Sequence, residues 1–403
     1  MRRHRSDKII LFLTIGLMLI GLVVIYAIGP QRANFLNTAY GQNNSPNGFF
    51  IKQLLSVGLS TAAFIAAFHV PYEKIRIYAK IALLAGIGFS VALLIFGTLH
   101  MSLARCELGA CRWLNLGPLS FQPAELIKMG LVLYLAQIVA MRKKQKKTEQ
   151  RENSAKQKEN QKRFWLQFGG LSILSIFFVV VVQKDLGSGV PMIAIMLAIL
   201  WMSGMKVKVF MIIVSVVLLA GVLAIVSTPH RVKRLMTFGN ASGADKYHLQ
   251  NALIAIGTGG FGGVGVSNSV QATGYLPESI NDSVFAIMGE TFGFVGLTLV
   301  IACFGILLLR ILKITETAGD DERSLVAVGV FAWIMTHVVI NVAAMTGLVP
   351  LTGITLPLLS YGGTSMLFVS VALGLMLQFS CYSSRESGNV YKDLSGLKRR
   401  RIE

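Results

Sequence analysis

Asp282 sits where a long apolar run begins, and Glu290 follows about two helical turns inside that run. Ionised side chains at or within lipid are costly, which makes both carboxylates candidates for function. One carboxylate at a membrane surface suits a general base that takes a proton from a hydroxyl. The plainer alternative is that Asn281-Asp282-Ser283 caps the helix starting at Ser283. The two roles are compatible.

Other polar residues interrupt the apolar sequence. Glu125 and Lys128 share one helix face and can pair. Either they form a self-neutralising structural bridge, or they line a polar cavity inside a bundle. Asp185 follows Gln183-Lys184 at a tight turn between two apolar runs, and Arg112 opens the polar stretch leading to Glu125. His230-Arg231-Val232-Lys233-Arg234 comes directly after another run. It is either snorkelling interfacial charge or an anion site. Threading the runs puts Arg105, Arg112, Lys128, Lys184, Arg231, Lys233, Arg234 and Lys246 toward the same side as the acids Glu107, Glu125, Asp185, Asp245, Glu278, Asp282 and Glu290. Cations slightly outnumber acids there, which suits an anionic ligand such as a phosphate or pyrophosphate headgroup.

Gly257-Thr258-Gly259-Gly260-Phe261-Gly262-Gly263-Val264-Gly265 matches G-x-G-x-x-G. No strand precedes it, so it fails as a nucleotide fingerprint. It reads as a flexible turn or as backbone able to approach a ligand closely.

These residues need a scaffold, and composition says of what kind. Of the 403 residues, 54% are hydrophobic and 14% charged, which excludes a pair of soluble domains. Residues 9–28 carry no charge, a length that matches the ~30 Å of a bilayer core. Comparable runs occupy 53–70, 81–100, 121–141, 164–182, 186–205, 209–227, 283–309, 324–349 and 362–382. They are continuous and lack period-two alternation, so the chain is expected to be an all-α integral membrane bundle of about ten transmembrane helices, one domain over 1–403. The first run reads as a retained helix rather than a signal peptide.

The net charge of +19 is concentrated in the N-terminal arginines, 74–80, 142–163, 206–208 and 398–401, which all fall on one side of the threaded chain. By the positive-inside rule both termini and the basic loop 142–163 are cytoplasmic, as is the tail 383–403. The long loop 228–282, between helices 7 and 8, is then extracytoplasmic. A basic loop of this kind hugs membrane lipid; a nucleic-acid partner is not expected. Cys106 and Cys111 share an outer loop where a disulfide is permitted, and no metal-ligand cluster accompanies them. Residues 350–361, an irregular stretch with two prolines, read as a re-entrant or interfacial strand buried against protein.

Several motifs carry a resemblance. Arg112-Trp-Leu-Asn-Leu-Gly-Pro-Leu-Ser-Phe-Gln-Pro-Ala-Glu125-Leu-Ile-Lys128, Gln183-Lys-Asp185-Leu-Gly, Asn251-Ala-Leu-Ile-Ala-Ile-Gly-Thr-Gly-Gly260, Tyr275-Leu-Pro-Glu-Ser-Ile-Asn-Asp282 and Pro357-Leu-Leu-Ser-Tyr-Gly-Gly-Thr-Ser365 occur in order. Together they resemble the SEDS proteins (shape, elongation, division and sporulation). Ile354-Thr355-Leu356-Pro357 looks more like the division branch, FtsW and SpoVE, than the elongation branch, RodA. The resemblance implies a bacterial peptidoglycan glycosyltransferase that polymerises lipid II at the outer face of the cytoplasmic membrane, at the division septum. Asp282 falls on the family's essential aspartate, and Glu125 and Lys128 on its polar cavity residues. The implied partners are lipid II, nascent glycan, a class B penicillin-binding protein and other divisome proteins. Three departures stand out: Lys184 replaces a usual proline and so implies a less rigid turn, Gly274 leaves the approach to Asp282 more flexible, and Thr352 stands where some relatives have lysine.

The chemistry needs one base for the acceptor 4-hydroxyl and positive charge for the departing undecaprenyl pyrophosphate. Asp282 is the expected base of an inverting transfer, with Arg231, Lys233, Arg234 and Lys128 as phosphate contacts. Arg112, Asp185 and Glu290 complete the expected substrate and cavity set. No cofactor is required; a Mg or Mn ion would ride on the pyrophosphate. The alternatives are a lipid II flippase, an elongation-type polymerase or a non-catalytic scaffold.

Overall fold

The computed structural model describes residues 6–107, 110–117, 119–148, 154–226, 232, 244–266 and 268–382. Among these, nine helices are long and apolar enough to cross a membrane. They include α1 (Lys8–Tyr40), α2 (Gly48–His69), α4 (Ala79–Thr98) and α5 (Pro123–Thr148), with the short α3 (Tyr72–Ile77) between the second and third spans. α6 (Ser154–Trp165) and α7 (Leu171–Phe177) run together through two π-helical turns into one span ending at Val182. α8 (Leu186–Trp201) is apolar but only 16 residues long. α9 (Val207–Val226), the shorter α10 (Ala244–Thr258), α11 (Val284–Thr317), α12 (Asp321–Met345) and α13 (Gly363–Ser380) complete the bundle. Counting α8, the spans coincide with the ten apolar runs, because helices satisfy their own backbone groups where no water can.

One face gathers the start of α1, the ends of α2, α5, α11 and α13, and the start of α12. Asp7 N donates to Ser380 Oγ at 2.9 Å, Arg310 reaches Asp7 at 3.7 Å, and Arg323 reaches Glu73 at 2.8 Å. Lys143 pairs with Asp321 at 3.4 Å on the same face. Lys143 belongs to the basic segment 142–163, whereas the N-terminal arginines and 398–401 lie outside the described residues.

On the opposite face the 101–121 connection is a small antiparallel sheet, β1 (Ala104–Glu107), β2 (Ala110–Leu116) and β3 (Leu119–Phe121), in the order β1-β2-β3. Cys106 and Cys111 face each other in the β1–β2 register and form a disulfide. The bridge lies over Gly97 of α4, where a Cβ would stand 2.6 Å from Cys111 Sγ.

α5 and α12 form the axis, with 83% and 61% of their most apolar windows buried, whereas α9 buries none. α9 therefore lies at the rim, packed on the core through Ile213 and Val217.

α11 is broken at Gly293 (φ 65°, ψ −163°). The glycine cluster fills the break. Val264 N donates to Glu290 O at 2.9 Å and Gly265 N to Thr291 O at 3.1 Å, while Phe294 N donates to Gly260 O at 2.9 Å and Val295 N to Phe261 O at 3.2 Å. A Cβ at Gly259 would collide with Gly289 O, and one at Gly263 with Thr291 O. The close approach anticipated for this cluster is thus to helix backbone. Flexibility is not its purpose. It also carries α10 alongside α11 to a depth of roughly 8–16 Å below Val284, so part of the expected outer loop lies within the bundle.

Candidate functional site

Asp282 lies on a turn that precedes α11 and does not cap it. Ser283 is the N-cap residue and makes no side-chain capping bond. The turn is closed by Asn281 N and Ser283 N donating to Glu278 O at 2.9 and 3.2 Å, and by Asn281 Nδ2 donating to Glu278 Oε2. Ser283 Oγ donates to Pro277 O at 2.9 Å, so its own lone pair accepts from His248 Nε2 on α10 at 2.6 Å. Asp282 itself is buried, 8% exposed, with its backbone carbonyl held by Asn341 Nδ2 at 2.7 Å.

Residues 351–361 form the hub against which the other site elements pack. They run without regular structure rather than as the expected strand, and are covered by protein as expected, buried at Ile354, Leu356 and Leu358–Ser360. Gly353 (φ +71°) faces Asp282, where a Cβ would stand 3.9 Å from Oδ2. Thr352 O lies against Gly187 at the start of α8, 2.7 Å from where a Cβ would be. Ile354 O accepts from Asn341 Nδ2 at 2.7 Å and Thr355 O from His337 Nδ1 at 3.1 Å. Tyr361 N donates to Ile280 O at 2.8 Å, tying the far end of the hub back to the Asp282 turn. Burial pushes the Tyr361 hydroxyl above its usual range, and the nearby Arg105 charge opposes that rise.

Asp185 borders the same hub. It caps α8, with Oδ1 accepting from Ser188 N at 3.0 Å and Oδ2 from Ser188 Oγ at 2.7 Å and Gln122 Nε2 at 3.1 Å. Arg112 Nη2 donates to Lys184 O at 2.9 Å, and Gln183 Nε2 to Ser90 Oγ at 2.8 Å. Lys184 adopts φ 53°, a conformation closed to proline. The turn is held from three sides, so the looseness expected from losing proline does not arise. Asp185 and Arg112 both hold this turn in place.

Glu125 and Lys128 are enclosed, 3% and 0% exposed. Lys128 Nζ donates to Glu125 Oε1 at 2.8 Å and to His337 Nε2 at 3.1 Å, and lies 5.3 Å from the Trp333 ring centroid. Of the two readings, the structural bridge prevails. An ammonium with these partners and no exposure is not a phosphate contact, so that expectation for Lys128 is corrected.

Glu290 is likewise accounted for. Its carboxylate accepts from Ser269 Oγ at 2.5 Å, Val270 N at 3.0 Å and Gln271 N at 3.3 Å. It therefore caps, from within α11, the 3₁₀ turn Gln271–Thr273 of the preceding loop. A substrate-facing cavity residue would not be spent this way. Gly274, expected to be a flexible point, is instead wedged by Phe35 of α1 at φ +126°. Arg231, Lys233 and Arg234 lie outside the described residues. The sequence reading passed over His337 and Asn341. A histidine and an asparagine one turn apart inside an apolar span are the polar signal that could have found them.

A polytopic helical membrane protein with an acidic turn held against a buried, irregular segment is the class that fold and site define. The family model described as cell cycle protein, for FtsW, RodA and SpoVE, matches residues 7–385. The chain is 31% identical to stage V sporulation protein E of Bacillus subtilis over 391 residues, covering 95% of this chain and 99% of that one. It is 33% identical over 378 residues to the probable peptidoglycan glycosyltransferase FtsW of Nitrosomonas europaea, covering 92% of each. In fold it is similar to a chain of a peptidoglycan synthase complex, with TM-score 0.69 and 22% identity, over 93% of this chain and 97% of the other. Rod shape determining protein RodA of Thermus thermophilus is also similar, with TM-score 0.63 and 22% identity, over 94% and 98%. The chain belongs to the FtsW/RodA/SpoVE family.

Proposed function

We propose that this membrane protein is a peptidoglycan glycosyltransferase that polymerises lipid II, with Asp282 as general base. The observation that carries the assignment of the base is the placement of Asp282. It is buried on the turn before α11, its Oδ2 faces Gly353 of the irregular segment, and its backbone carbonyl is fixed from α12. In the reaction, the Asp282 carboxylate takes the proton of the acceptor 4-hydroxyl as that oxygen bonds to the anomeric carbon of the growing chain. The bond from that carbon to undecaprenyl pyrophosphate breaks, with inversion. Pyrophosphate leaves without strong acid help, so positive charge rather than a second carboxylic acid is the remaining need. With Lys128 enclosed, Arg231, Lys233 and Arg234 are the proposed source of that charge. A class B penicillin-binding protein is the proposed partner, and the division septum the proposed place of work.

The test is Asp282→Asn assayed with purified lipid II. Loss of glycan synthesis of at least about a hundredfold, with folding intact, is expected of a general base. Near wild-type synthesis would sink the assignment, and headgroup translocation without synthesis would favour a transporter.

A further inference from the structure

We propose that His337 is a positioning residue, one that couples the buried Glu125–Lys128 pair to the segment lying beside Asp282. The proposal rests on the glycosyltransferase reading for its activity arm. His337 stands in the middle of the molecule, 4% exposed, between two partners of opposite hydrogen-bonding character. Thr355 O only accepts, so the Nδ1 facing it at 3.1 Å carries the proton. Lys128 Nζ only donates, so the Nε2 facing it at 3.1 Å presents its lone pair. The contacts require one state of the ring: neutral, with the proton on Nδ1. A side chain that donates at one end and accepts at the other is what this position demands, and few residue types supply that.

The consequence is mechanical. Lys128 is fixed by Glu125 on α5, and His337 extends that fixed point across to α12 and on to Thr355. One turn further along α12, Asn341 takes the adjacent carbonyl of Ile354 and also that of Asp282. Two successive carbonyls of the hub are thus held by two side chains on one helix face. Gly353, whose positive φ leaves it next to Asp282, lies directly before them. Without His337, residues 354 and 355 would lose one of the two side-chain bonds that tie them to α12. The rival is a histidine that merely fills space. Leucine would fill the same space yet leave Thr355 O without a donor and the Lys128 ammonium without its second acceptor. Asparagine would be polar but too short to reach both partners.

The experiment compares wild type, His337→Gln, His337→Leu and His337→Asn, each purified as the full chain. Glutamine carries both a donor and an acceptor and should rescue, with kcat for glycan synthesis from lipid II within about threefold of wild type. Leucine and asparagine should lower kcat by about thirtyfold while KM moves less than about threefold, since the acid is displaced and the substrate surface is not. A second arm needs no turnover. Thr352→Cys is introduced in each background and its labelling rate by a membrane-impermeant maleimide is measured. The rate should rise about tenfold with leucine or asparagine and stay within about twofold with glutamine, as the segment loosens only when a carbonyl loses its donor. Should the leucine protein fail to fold, the asparagine protein carries both arms. Equal losses for glutamine and asparagine, or unchanged labelling in the asparagine protein, would overturn the proposal. If wild type makes no glycan the function reading fails, and the labelling arm still decides this one.

Discussion

Asn341 Nδ2 donates to the carbonyls of Asp282 and Ile354, each at 2.7 Å, and so fastens two distant parts of the chain to one amide. The pair Asn341–Asp282 links the central helix α12 directly to the proposed base. Its position explains how a residue on an irregular turn can be held firmly enough for proton transfer.

Asn341→Leu removes both donors from buried carbonyls, at about 1–3 kcal/mol each. A lower melting temperature is expected, together with glycan synthesis reduced at least tenfold, on the order of 1.4 kcal/mol in barrier, at temperatures where the protein remains folded. Thermal unfolding and lipid II polymerisation, measured on the same preparation, check this. Unchanged synthesis would mean that the Asp282 turn holds its geometry without α12.

Glu290→Ala should destabilise by about 2–3 kcal/mol, because the lost acceptor is charged and serves several donors. The loop around Ser269–Gln271 should also become open to protease. Glutamine keeps one acceptor oxygen and should fall between. Asp282→Asn, by contrast, should lose activity while leaving the melting temperature nearly unchanged. If Glu290→Ala behaved like Asp282→Asn, with stability intact and turnover lost, the capping role would be wrong.

Gly293 has no room for a side chain: a Cβ there would collide with Gly263 N, and its φ is +65°. Gly293→Ala should therefore abolish recovery of monodisperse protein. Gly16→Ala, where a Cβ meets nothing within 4 Å, should be silent. Size-exclusion profiles of the two variants, side by side, give the answer.

Tyr72 OH donates to Glu322 Oε1 at 2.9 Å on the face that bears the termini of the bundle. Burial first, and then the Glu322 charge, hold the Tyr72 hydroxyl protonated well above its ordinary range. The unfolded chain releases that proton near pH 10 while the folded one keeps it, so stability is intact below about pH 10 and falls as the pH rises further. Tyr72→Phe should flatten part of that alkaline loss, and at neutral pH should cost about 1–3 kcal/mol as Glu322 Oε1 loses its donor. Unfolding curves across about pH 8 to 11 test both halves.

Sequence was a good guide wherever run length or loop charge decided the outcome. The spans announce themselves because lipid demands long unbroken apolar helices, and the shared face of the termini follows from where the lysines and arginines fall. Asp282 was legible as a costly acid, but its possible role as a cap could be dismissed only once Ser283 was seen to precede the helix. Glu290 was legible as expensive and not as satisfied, since its donors Ser269, Val270 and Gln271 come from a loop that no helical periodicity records. The glycine cluster matched G-x-G-x-x-G, yet its requirement is contact with the α11 backbone, a non-local fact. The strands of the outer sheet are three to seven residues long and stapled by a disulfide, too short for alternation to declare them. Nothing distinguished Lys128 as enclosed rather than exposed, because burial at that depth depends on which helices surround α5.

The clasp between the glycine cluster and α11 also sets an order of assembly. α10 and its glycine hairpin are synthesised before α11, but they have nothing to dock on until α11 has entered the bilayer. Meanwhile the buried carboxylate of Glu290 waits for the backbone amides that will cap it. Neither partner of this clasp can be finished alone: the break at Gly293 needs the hairpin's backbone, and the hairpin needs the carbonyls that the break exposes.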